Sequence, residues 1–187
     1  MNLQQILSSQ RERYVQHFLH ARRQLSEKEP ALVSELLISI NNENIPYPYR
    51  YLRVDLLYKT IDGEPKPVEV RIDPDPSFSP RVFSFGPLTL EVQPFNWNDI
   101  QILFNQAPKD IKQIEGWITH WLDIKDENPE NPSGLTGAIH SFTPMESDGK
   151  YWRLIGDFGT APIDALVEFI NILGAQGMTR IAIRSDK

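Results

Sequence analysis

Apolar side chains recur at three- and four-residue steps from the start of the chain, at Leu3, Ile6, Leu7, Tyr14, Phe18, Ala21 and Leu25, with Gln, Arg and Ser between them. Such spacing lays one apolar stripe along a helix and predicts a helix over residues 2–28, broken by Pro30. Residues 31–40 give a mixed signal, since Glu35-Leu36-Leu37 favours helix and Ile38-Ser39-Ile40 favours strand. We read a second short helix there, with a buried strand as the alternative. The cluster Asn41-Asn42-Glu43-Asn44, followed by Pro46 and Pro48, is a loop.

The period then shortens. Residues 51–58 mix alternation with an apolar run, Asp62-Gly63 supplies a turn, and Val68, Val70 and Ile72 alternate strictly with polar residues and so face inward. Pro65 and Pro67 mark an edge, because proline cannot donate to a ladder. With 82–85 and 88–92, parted by Gly86-Pro87, these segments predict an antiparallel meander of successive strands. Asn96 or Asn98 then caps a helix over 98–106 that turns Ile100, Leu103 and Phe104 inward. Pro108 opens another over 109–124 through Ile111, Ile114, Ile118, Trp121 and Leu122.

Residues 126–134 contain no large apolar side chain and form an exposed loop, the one place where a single domain over 1–187 would subdivide. Beyond it, 138–142 is a strand whose hairpin partner is 151–155, across a turn at Asp148-Gly149. Thr160 reads as a helix N-cap with Pro162 in the first turn, and Ile163, Leu166, Val167, Phe169, Ile170 and Leu173 form a broad apolar stripe. Gly174 or Gly177 ends that helix, and 180–183 is a last strand. The expected architecture is α+β: an N-terminal helix, a mostly antiparallel sheet with helices packed on one face, and a C-terminal β-β-α-β unit.

Composition narrows the function classes. The 187 residues include no cysteine, which removes disulfides, Cys-ligated zinc and thiol catalysis. No apolar run approaches the roughly 18 residues of a membrane helix, and residues 1–7 show no secretory pattern, so the expectation is a soluble cytoplasmic chain with no membrane partner. Net charge is −6 with a pI near 5.2, which argues against a nucleic-acid partner. The charge is uneven. Residues 1–28 hold five bases against two acids and net +3, leaving −9 for the rest. We read the basic segment as the solvated face of a helix.

Catalytic and metal signatures are weak. His17 and His20 share a helix face, but no acid lies between them and no third ligand is evident, so no metal site is expected there. Asp73/Asp75 and Asp126/Glu127 lack the alternating oxygens of a calcium loop. Asp157-Phe158-Gly159 matches a kinase metal-binding triplet, yet no glycine-rich loop or His-Arg-Asp loop accompanies it; a strand-to-helix turn is the better reading. His120 with Asp123 on a neighbouring turn is the best acid–base pair, and His140 is expected to point outward from its strand. Tyr47, Tyr49, Phe95 and Trp97 stand among turn residues, where aromatic side chains often serve recognition.

The expected function is therefore a non-catalytic, acidic protein-binding domain without cofactor or metal, of the kind that inhibits a basic partner. An immunity-type protein neutralising a nuclease toxin is the best-motivated form, because such an enzyme carries a basic cleft. Expected contact residues are Asp123, Asp126, Glu127 and Glu130 on the polar loop, with Phe95 and Trp97. Two alternatives remain: a secretion or assembly chaperone, which would be dimeric, and an enzyme with a dispersed site built around His120 and Asp123, or on Asp157.

Overall fold

Helix α1 (Leu3–Ser26) begins at a reciprocal cap, in which the Asn2 side chain accepts the Gln5 N–H and the Gln5 side chain accepts the Asn2 N–H. Of the predicted stripe, Ile6, Leu7, Tyr14 and Phe18 are buried, with Val15 beside them, and Leu3, Ala21 and Leu25 are half-buried against the core. The computed structural model describes residues 1–72 and 78–185. Asp73 and Asp75, weighed above as calcium ligands, lie outside the described residues. Among these residues, no helix is long and apolar enough to cross a membrane.

Residues 31–40 are not helical. They contain β1 (Val33–Ser39), which pairs antiparallel with β2 (Tyr51–Lys59) from Val33↔Leu57 to Ser39↔Tyr51. The local preference of Glu35-Leu36-Leu37 for helix is outweighed by this ladder. Glu35 itself takes φ +54°, which breaks any helix and costs about 1–3 kcal/mol for a non-glycine residue. The outer strand β3 (Pro65–Val68) completes a three-stranded sheet, and its two prolines do lie on an edge. Val70 lies beyond β3 and is buried, as its alternation implied.

The expected meander is split between two sheets. The hairpin of β4 (Arg81–Phe85) and β5 (Leu88–Val92) belongs to a seven-stranded sheet with β6 (Ile100–Phe104), β7 (Ser141–Phe142), β8 (Glu146–Ser147), β9 (Trp152–Asp157) and β10 (Arg180–Arg184). The order is β4-β5-β10-β6-β9-β7, with β8 also on β9; β5 and β10 run parallel and the other pairs antiparallel. Residues 98–106 thus contain the central strand β6 and no helix. Ile100, Ile102 and Phe104 alternate at period two and are wholly buried, so the three-residue step from Ile100 to Leu103 was a coincidence of composition.

Helix α2 (Ile111–Trp121) is capped by Asp110, whose carboxylate accepts the Gln113 N–H, and it buries Ile114, Trp117 and Ile118. Helix α3 (Ile163–Ala175) links β9 to β10, which are both antiparallel to the intervening β6 and therefore parallel to each other. The β-β-α-β reading of the tail holds. The Thr160 cap does not: Pro162 occupies the N-cap, and the Thr160 hydroxyl is used elsewhere. Trp117 stacks on Phe169 at 4.4 Å and donates its indole N–H to the Ala165 carbonyl, joining α2 to α3.

A strand at 100–104 and a helix there make opposite predictions. Ile102→Ala should cost about 2–5 kcal/mol in urea unfolding, and Leu103→Ala, at a half-buried position, clearly less. A helix burying Ile100, Leu103 and Phe104 would reverse that ranking.

Candidate functional site

The two sheets meet at His140. Its carbonyl accepts the Arg53 N–H of β2 at 2.7 Å, and its own N–H donates to the Asp157 carbonyl of β9 at 2.8 Å. This tether turns the ring into the interior, against the edge of Phe18, and leaves it 1% exposed. The expected outward orientation is wrong, because strand alternation at 138–142 is overridden where the two sheets abut.

Each ring nitrogen meets a carboxylate: Nδ1 lies 2.6 Å from Asp55 Oδ1, and Nε2 lies 3.0 Å from Glu35 Oε1. The left-handed turn at Glu35 directs that side chain inward, where it also accepts from the Thr136 N–H and from the Thr136 and Thr160 hydroxyls. The other oxygen of Asp55 accepts the Val70 N–H at 2.6 Å. Asp157 stands 3.9 Å from Nδ1 through Oδ2, while Oδ1 accepts the Gly159 N–H at 2.8 Å. Gly159 has φ +49°, and a Cβ there would come within 2.1 Å of the His140 ring. The turn read as a strand-to-helix connection therefore needs glycine for its backbone angle and for the imidazole above it.

Burial opposes the charge on His140, but hydrogen bonds to Asp55 and Glu35 and the charges of Asp157 and Asp55 prevail, raising its pKa to about 10. Burial also opposes the charge on Glu35. The hydrogen bond and charge of His140 outweigh it, with help from Thr160 and Thr136, and hold Glu35 below the ordinary carboxylate range. Asp157 is pushed up to about 7, chiefly by burial, with His140 opposing and Asp55 adding to the rise. With both nitrogens engaged, the His140 imidazolium has no lone pair for base catalysis. Asp157, with 21% of its side chain exposed, borders a depression of about 270 Å³ that Asp55, Glu69, Ser141 and Pro67 also line.

A second polar system lies beneath the 126–134 loop. The buried Arg53 guanidinium donates to the carbonyls of Glu35, Leu122 and Asp123 and to the carboxylates of Asp123 and Asp126. Asp123 in turn accepts the Glu127 and Asn128 N–H groups, both at 3.0 Å. On the other side of the loop, Arg22 of α1 donates to the Ser133 and Gly134 carbonyls. Arg11 likewise reaches the Thr160 and Ala161 carbonyls, and Arg13 reaches the Asn96 side chain. The basic face expected to be solvated is instead partly spent on binding loops to α1. A groove of about 580 Å³ separates α1 from the loop, between Arg22, Arg23 and Ser26 on one wall and Glu130, Asn131 and Ser133 on the other.

Comparison with known protein families, curated proteins and solved structures finds no match for the chain. The chemistry has to be read from the geometry.

Of the expected contact residues, Glu127 and Glu130 are exposed, Asp126 is exposed but paired with Arg53, and Asp123 is buried. Phe95 and Trp97 are wholly buried, Trp97 against Phe158 and Phe95 against Phe78, so they offer no contact surface. Tyr49 is buried as well, whereas Tyr47 is 44% exposed. His120 is exposed against the edge of Trp121 and forms no dyad with Asp123, whose carboxylate faces Arg53. His17 and His20 are exposed on α1. Sequence reasoning missed Glu35 and Asp55. The only signal for Asp55 was its place, with Arg53, at alternate positions of an otherwise apolar strand.

Two outcomes follow from the clash and the protonation states. Gly159→Ala should destabilise the fold by at least about 2 kcal/mol, read by urea unfolding, since both a strained φ and a displaced ring are involved. Groups whose folded pKa is raised lose their stabilising contribution as pH rises: Asp157 from its ordinary 3.8 up to about 7, and His140 from 6.5 up to about 10. Between pH 5 and about 7 the Asp157 part should therefore lower stability, and Asp157→Asn should flatten that segment of the curve. An unchanged slope in the variant would mean that Asp157 is ionised throughout.

Proposed function

We propose that the chain is a non-catalytic protein-binding domain that docks on a basic partner and neutralises it, in the manner of an inhibitor or immunity protein facing a nuclease-like toxin. The observation that carries this reading is the construction of the acidic loop. Glu127 and Glu130 project from a segment with no apolar anchors of its own, yet its backbone is held from below by Arg53 and Asp123 and from the side by Arg22. A loop already ordered before docking loses less entropy on binding, so its carboxylates act at lower cost. Arg53 is buried and takes up the charge of Asp123 and Asp126, which leaves Glu127 and Glu130 as the exposed carboxylates of the loop, and the net charge of −6 favours steering of a cationic partner.

One feature favours the chaperone alternative. The outer strand β1 exposes Val33, Leu36 and Ile38, with Ile40 just beyond it, and an apolar edge that pairs with no further strand among the described residues is suited to self-association. Light scattering separates the two readings, since the inhibitor works as a monomer and the chaperone as a dimer.

Affinity capture of the tagged chain from its native lysate, at low and high salt with mass spectrometry, should return one dominant basic protein whose yield falls as salt rises. Against that partner, the double charge reversal Glu127→Lys/Glu130→Lys should slow association about tenfold at low salt while leaving stability unchanged. An unaltered association rate would remove the loop from the interface.

A further inference from the structure

Asp55, His140 and Asp157 place one oxygen, one nitrogen and one oxygen within 4.8 Å of one another, and Asp55 and Asp157 also line the 270 Å³ depression, with His140 buried behind them. From this geometry we infer that the three residues form a binding site for a divalent transition-metal ion of the zinc class, with Glu35 as its outer-shell partner. The site lies apart from the acidic loop, so its failure would leave the protein-binding reading untouched, and the converse is also true.

Ligand spacing is the first argument. Ligands about 2.0–2.1 Å from a tetrahedral zinc stand about 3.3–3.4 Å apart. Here Nδ1 is 2.6 Å from Asp55 and 3.9 Å from Asp157, so a cation needs Asp55 to back away by about 0.7 Å and Asp157 to advance by about 0.5 Å. Each ligand is also aimed by its second atom. Asp55 is held by the Val70 N–H, Asp157 by the Gly159 N–H, and the His140 Nε2–H by Glu35, which is the carboxylate–histidine arrangement that orients metal-bound imidazoles.

Charge is the second argument. Without a cation, the cluster gathers three carboxyl groups around one imidazolium, and the neighbouring Arg53 is already engaged by Asp123 and Asp126. A divalent ion replacing the Nδ1 proton, which leaves to solvent, balances Asp55 and Asp157 and keeps Glu35 hydrogen-bonded to Nε2–H. The third argument is an orphan group. Among the described residues, the Tyr14 hydroxyl is fully buried without a hydrogen-bond partner, within electrostatic reach of Asp157, Asp55 and Glu35. Three protein ligands leave a fourth position for water, and such a water is what that hydroxyl lacks.

Zinc(II) chloride titrated calorimetrically into the chelator-treated chain tests the site. To exclude the exposed histidines, the titrated protein carries His17→Ala, His20→Ala and His120→Ala. Expected are one zinc per chain and a thermal midpoint raised by about 5–10 °C at a hundredfold excess over Kd. Asp157→Asn keeps an oxygen for the Gly159 N–H and should weaken zinc binding at least tenfold with an unchanged circular dichroism spectrum. Cobalt(II) supplies a readout that needs no ligand variant: the same protein should develop the intense visible bands of a tetrahedral N/O site. Absence of zinc uptake, equal affinity after Asp157→Asn, or cobalt spectra of the hexa-aquo type would each overturn the assignment.

Discussion

The imidazole of His140, held between Glu35 and Asp55, is the contact on which the rest of the arrangement depends. Glu35 adopts a left-handed backbone to reach it, Gly159 gives up a side chain to make room for it, and Thr160 abandons a helix cap to bond its partner. The small sheet is thereby bound to the large one through charge as well as through the backbone bond from Arg53 to His140. Buried ion pairs seldom add net stability, because desolvation offsets most of their attraction, whereas removing one partner costs about 3–5 kcal/mol. A hydrophobic seam of the same volume would hold the sheets as well. Concentrating three carboxylates there makes physical sense when their charge is put to use.

The second constraint is the economy of arginines. Arg53 collects two carboxylates and three carbonyls in the interior, and Arg11 and Arg22 cross from α1 to carbonyls that no strand or helix satisfies. A planar guanidinium suits this work, since its several N–H donors reach divergent acceptors at once. Irregular backbone near the core is thus ordered by side chains, and the polar loop inherits its rigidity from them. The basic N-terminal segment thus spends Arg11, Arg13 and Arg22 on neutral acceptors, two backbone turns and the Asn96 amide, while Arg53 pairs with Asp123 and Asp126.

These two systems divide the molecule's chemical potential. The loop is exposed, and its backbone is tied down by hydrogen bonds from Asp123 and Arg22. The His140 cluster is concave and nearly dry, suited to a small cation. They adjoin through Arg53 and Glu35, since the Arg53 guanidinium donates to the Glu35 carbonyl.

Where packing follows local periodicity, the sequence was sufficient. Helices α1 and α3 and the last hairpin and strand were legible because an amphipathic stripe is written into neighbouring residues. Strand β6 is read as a helix and β1 is left between helix and strand, because short apolar runs fit either period and only their ladders decide between them. The loop at 126–134 was legible as exposed, but not its anchoring, which comes from residues more than 70 positions away. Least legible was the His140 site, whose members Glu35, Asp55, His140 and Asp157 lie in four separate segments joined by no local pattern. Sequence alone determined the α+β class and the sign of the charge, which depend on composition and on neighbours within a turn. Tertiary structure alone decided which charges are buried together, because that depends on where two sheets meet.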